Sequence, residues 1–239
     1  NIGRARSILE DLERSLKSVK GSTPSPVRQF AIGYLALCDH LGGSLERARK
    51  RYLVVIERFV SSRDLRAASI FNRHLADLFA RRGSLKKAEA YAHLAVDGAS
   101  EAEQRDIEHL ALVTLAAIRV KCEDYDSAQG LLDRAMNYAT TMGLYRLQAD
   151  ALLVDARLKS VRGDYSMAAE SASGAIAISS RYGMRLRKLS SLITYGEIQV
   201  GRRKLDLARS IFEESKTEAE KLGYQLQASN AAAHLSNLG

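Results

Sequence analysis

The phrase Gly-Ser-Leu-x-x-Ala, met at Gly43-Ser44-Leu45-Glu46-Arg47-Ala48, constrains the chain more than any other feature, because it recurs. It stands again at Arg82-Gly83-Ser84-Leu85-Lys86-Lys87-Ala88. Variants follow at Glu123-Asp124-Tyr125-Asp126-Ser127-Ala128, Gly163-Asp164-Tyr165-Ser166-Met167-Ala168 and Arg203-Lys204-Leu205-Asp206-Leu207-Ala208. Positions 43, 83, 123, 163 and 203 advance by 40 residues each time, and Gly3 lies one step upstream. A fixed period of this size is the signature of a stacked repeat array, in which each unit buries its apolar face only against the next.

The repeats read as helix pairs. With 2 Pro and no Trp in 239 residues, and with abundant Ala, Leu, Arg and Glu, the composition favours helix. Apolar residues recur at helical spacing, beginning with Ile8, Leu9, Leu12, Leu16 and Val19. The pattern predicts helices over about 3–20, 27–41, 44–60, 64–82, 84–97, 101–121, 125–142, 144–162, 164–182, 184–202, 204–222 and 224–238. The Pro-rich segment Gly21-Ser22-Thr23-Pro24-Ser25-Pro26 interrupts the first pair without shifting the period.

A second turn keeps the same phase. Gly143, Gly183 and Gly223 are spaced for left-handed helix C-caps, while Arg63 and Glu103 hold that phase without glycine and predict turns of another construction. Small residues fall in register as well. Ala36, Ala76, Ala116, Ala156 and Gly196 lie on the first helices; Ala48, Ala88, Ala128, Ala168 and Ala208 lie on the second. Ala95, Ala135 and Ala175 follow further along the second. They predict close helix approach, with Leu45, Leu85, Tyr125, Tyr165 and Leu205 filling the neighbouring gap.

These residues resemble the tetratricopeptide repeat family across almost the whole chain. The period here is 40 rather than the common 34, and the proline that often ends the common repeat is missing. The long variety is similar to the repeats of large bacterial regulators, among them maltose-type transcription activators, signal-transduction ATPases and sensors with a cyclase or kinase output. The phrase argues against fourteen-three-three-like and HEAT-type arrays. The expected fold is all-α, a right-handed superhelical solenoid of antiparallel helix pairs. It forms one array over 1–239: a partial repeat 1–22, repeats at about 24–62, 63–102, 103–142, 143–182 and 183–222, and a partial repeat 223–239. Because the chain does not begin with Met, it is expected to be a piece of a longer protein.

Chemistry is sparse. There is no Gly-x-Ser-x-Gly elbow, no His-Glu-x-x-His and no phosphate-binding Gly-rich loop before Lys-Ser/Thr. The five histidines, His40, His74, His93, His109 and His234, lack metal-ligand spacing; for His40 and His109 a surface or groove role is the alternative to the favoured reading as ordinary structural residues. Cys38 and Cys122 are isolated and read as buried small hydrophobes. The longest apolar run, Leu110 to Ile118, is too short to span a bilayer and no secretory signal is visible. The reading is therefore non-enzymatic, with no cofactor, no metal, no membrane and a cytoplasmic location.

What remains is surface. The resemblance implies that the first helices line a concave face. Matched residue by residue, that face carries an apolar middle of Leu110, Val113, Leu153 and Ile193. Around it stand Arg73, Asp77, Arg81, Lys121, Arg157 and Glu197. Arg73, Asp77 and Arg81 also have the spacing of an ion ladder on one helix. These ten residues predict a groove for an apolar segment of a protein or peptide, in the regulatory or scaffolding part of a larger bacterial signalling protein. Two alternatives stand beside it. One is a small-ligand sensor controlling an output domain. The other is nucleic-acid binding along the basic edge of Arg81, Arg82, Lys121, Arg162, Arg202, Arg203 and Lys204, against which the same cations offset helix dipoles. The net charge of +8 permits an acidic partner without requiring one. Arg47, Arg49, Lys50 and Arg51 read as a solvated outer face, and exposed end repeats allow self-association.

Overall fold

A computed structural model describes residues 2–17 and 25–238. Twelve helices and no strands are found among them. They are α1 (Ile2–Lys17), α2 (Pro26–Leu41), α3 (Leu45–Ser61), α4 (Leu65–Arg81), α5 (Leu85–Glu101), α6 (Arg105–Lys121), α7 (Tyr125–Thr141), α8 (Tyr145–Val161), α9 (Tyr165–Arg181), α10 (Arg185–Gly201), α11 (Leu205–Leu222) and α12 (Gln225–Ser236). Residues 18–24, with most of the Pro-rich segment, lie outside the described residues. Pro26 opens α2, where its missing N–H costs nothing.

All ten of the described turns from α2 onward are built alike. A left-handed residue stands every 20 positions, at Gly43, Arg63, Gly83, Glu103, Glu123, Gly143, Gly163, Gly183, Arg203 and Gly223. The following residue donates its N–H to the carbonyl five back, at 2.8–3.0 Å, as in Ser44 to Asp39 and Tyr224 to Ala219. The left-handed residue itself donates to the carbonyl three back, at 2.9–3.3 Å. That is the Schellman pattern. The expectation of a different construction at Arg63 and Glu103 is thereby corrected: φ is 58° and 55° there, in the same left-handed well. Two backbone bonds hold the turn, so a side chain is tolerated at a local cost. The same bonds correct one helix boundary. α5 runs on to Glu101 and α6 begins at Arg105, because the turn is set by Glu103.

The chain divides into two compact units, residues 1–114 and 115–239. In the first, α1 to α5 pack successively, and α2 also touches α4. In the second, α7 to α12 pack successively, with α8 on α10 and α10 on α12. Within each unit a helix thus meets its neighbour in sequence, and α2, α4, α8, α10 and α12 also meet across a pair, as stacked helix pairs require.

The in-phase small residues are the contact points. Ala36, Ala76, Ala116 and Ala156 are fully buried, as are Ala48, Ala88, Ala128, Ala168 and Ala208, and Ala95, Ala135 and Ala175. Gly196 replaces alanine because the Phe212 ring fills its place; a Cβ there would lie 2.5 Å from that ring. Gly33 stands against Phe71 in the same way, at 2.3 Å. The large residues after the turns behave unequally. Leu45, Leu85 and Tyr125 are partly buried, but Leu205 is 50% exposed, so the expected gap-filling fails at that position.

Candidate partner-binding surface

Five of the ten expected groove residues belong to the first unit and five to the second. In the first unit, one face of α4 presents Arg73, Asp77 and Arg81, one helical turn apart. Arg81 Nε donates to Asp77 Oδ2 at 2.9 Å. Beside that pair, Arg73 places Nη2 3.3 Å from His74 Nε2. The Asp77 carboxylate also lies 3.7 Å from His40 Nε2 on α2. Desolvation works to raise the Asp77 pKa, but the Arg81 guanidinium and His40 outweigh it and hold the carboxyl well below the usual range.

His40 takes the structural reading rather than the groove one. It is 2% exposed and belongs to the core, edge-on to the Tyr52 ring. Burial pushes its pKa down, against the pull of Asp77. His109 is partly buried, with Nδ1 2.7 Å from the Arg105 carbonyl oxygen. Leu110 is partly buried as well, whereas Val113 is 4% exposed and offers a partner little surface.

The second unit repeats the theme with other groups. Glu197 Oε1 lies 2.8 Å from His234 Nε2, and Arg157 Nε donates to Thr194 Oγ1 at 3.2 Å. Asp150 pairs with Arg187 at 2.7 Å. Each of these contacts, like His40–Asp77, joins a first helix to the next at a separation of 37 residues. Desolvation would raise the Glu197 pKa, yet the hydrogen bond from His234 and the charges of Arg157 and Lys121 bring it down. The same bond raises His234. Lys121 is exposed and Leu153 partly so. Ile193, expected on the groove floor, is 5% exposed and packs with Ala208, Phe212 and Ala231 in the core. Val113 and Ile193 lie one turn before the small contact residues Ala116 and Gly196, and there the neighbouring helix covers them.

The most heavily charged core position stood outside the repeat pattern. Asp39, on α2, has a fully buried side chain. Arg6 of α1 and Arg47 of α3 each reach its Oδ1 at 2.8 Å, and Arg51 of α3 reaches Oδ2. Arg47 and Arg51, one turn apart on α3, thus point back at α2 and pair with its acid, although the Arg47 side chain stays 56% exposed. Arg49 is partly buried and bonded to Glu46. The only available signal was an acid eight and twelve residues before two arginines, with a turn between.

The basic edge is partly neutralised by its own repeats. Arg82 pairs with Glu46 at 3.0 Å and Arg162 with Asp126 at 2.9 Å, in both cases 36 residues apart. Hydrogen bonds from Arg49 and Arg82 hold the Glu46 carboxyl down at about 2. Cys38 is buried as expected, but Cys122 is exposed, because it occupies the first turn position after α6. Among the described residues, no group of three or more His, Cys, Asp or Glu is placed to hold a metal ion, and no helix is long and apolar enough to cross a membrane.

No family model and no curated protein matches the sequence. Solved structures do match its fold. Rap protein complexed with Competence and Sporulation Factor aligns over 100% of this chain and 70% of its own, with a TM-score of 0.70 at 13% identity. BtubC (BKLC) from P. vanneervenii aligns over 92% and 90%, with a TM-score of 0.59 at 18% identity. A tetratricopeptide repeat protein from Parabacteroides merdae aligns over 97% and 92%, with a TM-score of 0.50 at 13% identity. The chain accordingly has an all-helical fold of the tetratricopeptide-like repeat type.

Proposed function

We propose that this chain is a non-enzymatic protein- or peptide-binding module. It serves as the regulatory or scaffolding part of a larger bacterial signalling protein, with a single array of long, 40-residue repeats and a partial repeat at each end. The observation that carries the reading is the mixed surface along the first helices. Arg73, Asp77, Arg81 and Leu110 in one unit, and Lys121, Leu153, Arg157 and Glu197 in the other, combine accessible apolar area with charges already held in place. Charges fixed by neighbours orient a partner without first losing side-chain freedom. Rap protein, whose fold this chain resembles over its whole length, was solved with a bound factor, which supports the reading by analogy.

The test is affinity capture from a bacterial extract with the wild-type chain beside an Arg73→Glu/Leu153→Asp variant, followed by mass spectrometry. Circular dichroism confirms that the variant is folded. A protein recovered by the wild type and lost by the variant supports binding along the first helices. Equal recovery by both, or recovery of nucleic acid alone, overturns it.

A further inference from the structure

Two neighbouring hairpin tips of the second unit bring apolar residues to the surface. At the α8–α9 tip, Val161 is 54%, Tyr165 37% and Met167 52% exposed; at the α10–α11 tip, Leu205 is 50% and Leu207 44% exposed. The two tips are adjacent. Tyr165 lies flat against Gly201, whose Cβ, if present, would stand 2.3 Å from the ring. A glycine is required there for that approach, and the two tips share one apolar surface as a result. At the matching positions of the first unit the chain has Arg47, Arg81 and Lys87 instead of Met167, Gly201 and Leu207.

Charge changes at the same place. Arg82 and Arg162 are each neutralised by an acid 36 residues earlier. The residue 36 before Arg202 is Ser166, which carries no charge. Arg202, Arg203 and Lys204 are exposed and have no ion-pair partner among the described residues. The repeat's own counter-ion is lost at the tip where its apolar residues come to the surface.

We infer that these two hairpin tips form a second docking surface, separate from the first-helix face, for an amphipathic helix of a protein partner with acidic residues bordering its apolar side. Large exposed apolar side chains gathered with unsatisfied charge are the composition of a recognition patch rather than of solvated surface. A protein fits better than an anionic bilayer, because Asp164 and Asp206 stand within the patch. A bilayer would desolvate and repel them, whereas a helix can leave them at its rim. This inference stands apart from the groove reading, since it uses none of the groove residues.

The probe is a phage-displayed library of helix-forming peptides about four turns long, roughly 14–16 residues, panned on the full chain. The expected winners carry apolar residues at i, i+3, i+4 and i+7 with Asp or Glu beside them. Their affinity should fall at least about tenfold in Met167→Asp/Leu205→Asp and about threefold in Arg202→Glu/Arg203→Glu. It should be unchanged in Arg73→Glu/Leu153→Asp, so failure of the groove reading leaves a separate trace. All these side chains are exposed or partly exposed, and thermal melts verify folding. Failure to enrich any peptide, winners without acidic residues, or binding insensitive to the tip variants would overturn the inference. So would tip-dependent binding of phosphatidylserine vesicles in place of peptide.

Discussion

The two units answer the same packing problem with different chemistry, and the contrast is clearest at equivalent repeat positions. Position 39 holds Asp39, gripped by three arginines; 160 residues later it holds Gln199, fully buried, with neither amide atom bonded. Positions 59 and 71 hold Phe59 and Phe71, stacked at 5.8 Å; 120 residues later they hold Ser179 and Ser191, both buried and both with unbonded hydroxyls. The first unit fills its core with rings and ion pairs. The second relies on close approach of small residues, as in the cluster of Ala156, Ala168, Ala169, Ala172 and Ile198. A repeat fold therefore demands burial at these positions and leaves open what fills them.

The largest effect expected from that contrast is at Asp39. Asp39→Ala removes the carboxylate that three arginines share, leaving only Glu10 near Arg6, and should cost about 3–5 kcal/mol in chemical denaturation. Gln199→Leu, at the equivalent position, should instead be neutral or stabilise by about 1 kcal/mol, because it removes unbonded polar atoms at similar volume. Equal losses at both sites would erase the distinction. Next in size is the ring pair. Phe71→Ala should cost about 3–5 kcal/mol, whereas Ser191→Ala should be neutral or better by up to about 1 kcal/mol in the same assay.

A smaller effect tests the turns rather than the cores. Gly83→Ala should destabilise by about 1 kcal/mol, since φ is 73° there, and Glu103→Gly should stabilise by a similar or smaller amount. A loss on Glu103→Gly would mean that its side chain supports the turn.

The smallest effect is a difference of sign. His40 has a lowered pKa in the fold, so its contribution is whole above the ordinary value of about 6.5 and is lost as pH falls below it. His234 has a raised pKa, so its contribution is whole below about 6.5 and is lost as pH rises through the folded value. The groups facing His40 are Asp77, Arg81 and Tyr52; those facing His234 are Glu197 and Phe212. Amide exchange at about pH 5.5 and about pH 7.5 should show acid weakening the first unit in a His40-dependent way and supporting the second in a His234-dependent way. His40→Leu and His234→Gln should each abolish their own unit's response and leave the other intact.

The helix pairs were legible because glycine and alanine advertise backbone constraints directly. The 40-residue phrase, the in-phase alanines and the capping role of Gly143, Gly183 and Gly223 can all be read without side-chain packing. Arg63 and Glu103 could not be read the same way, because the backbone bonds that make them left-handed lie across the turn, not in the residue's own preference. The surface was harder still. Val113 and Ile193 have the composition of a groove floor, but whether an apolar helix position faces a cleft or the next helix depends on crossing geometry, which periodicity does not encode. Asp39 escaped notice because its partners sit on both flanking helices, one of them 33 residues upstream.

The residue after each left-handed position closes one helix and opens the next: Ser44 donates to Asp39 behind it and accepts from Ala48 ahead. No spare residue lies between these roles. Deleting one residue from such a turn would swing the following helix by about 100° and send its buried stripe into solvent. The chain can consequently tolerate change of length only in whole helices or whole pairs. Its sequence behaves like text set in fixed-width lines, where an exchanged letter spoils one word but a single dropped character misaligns everything printed below it.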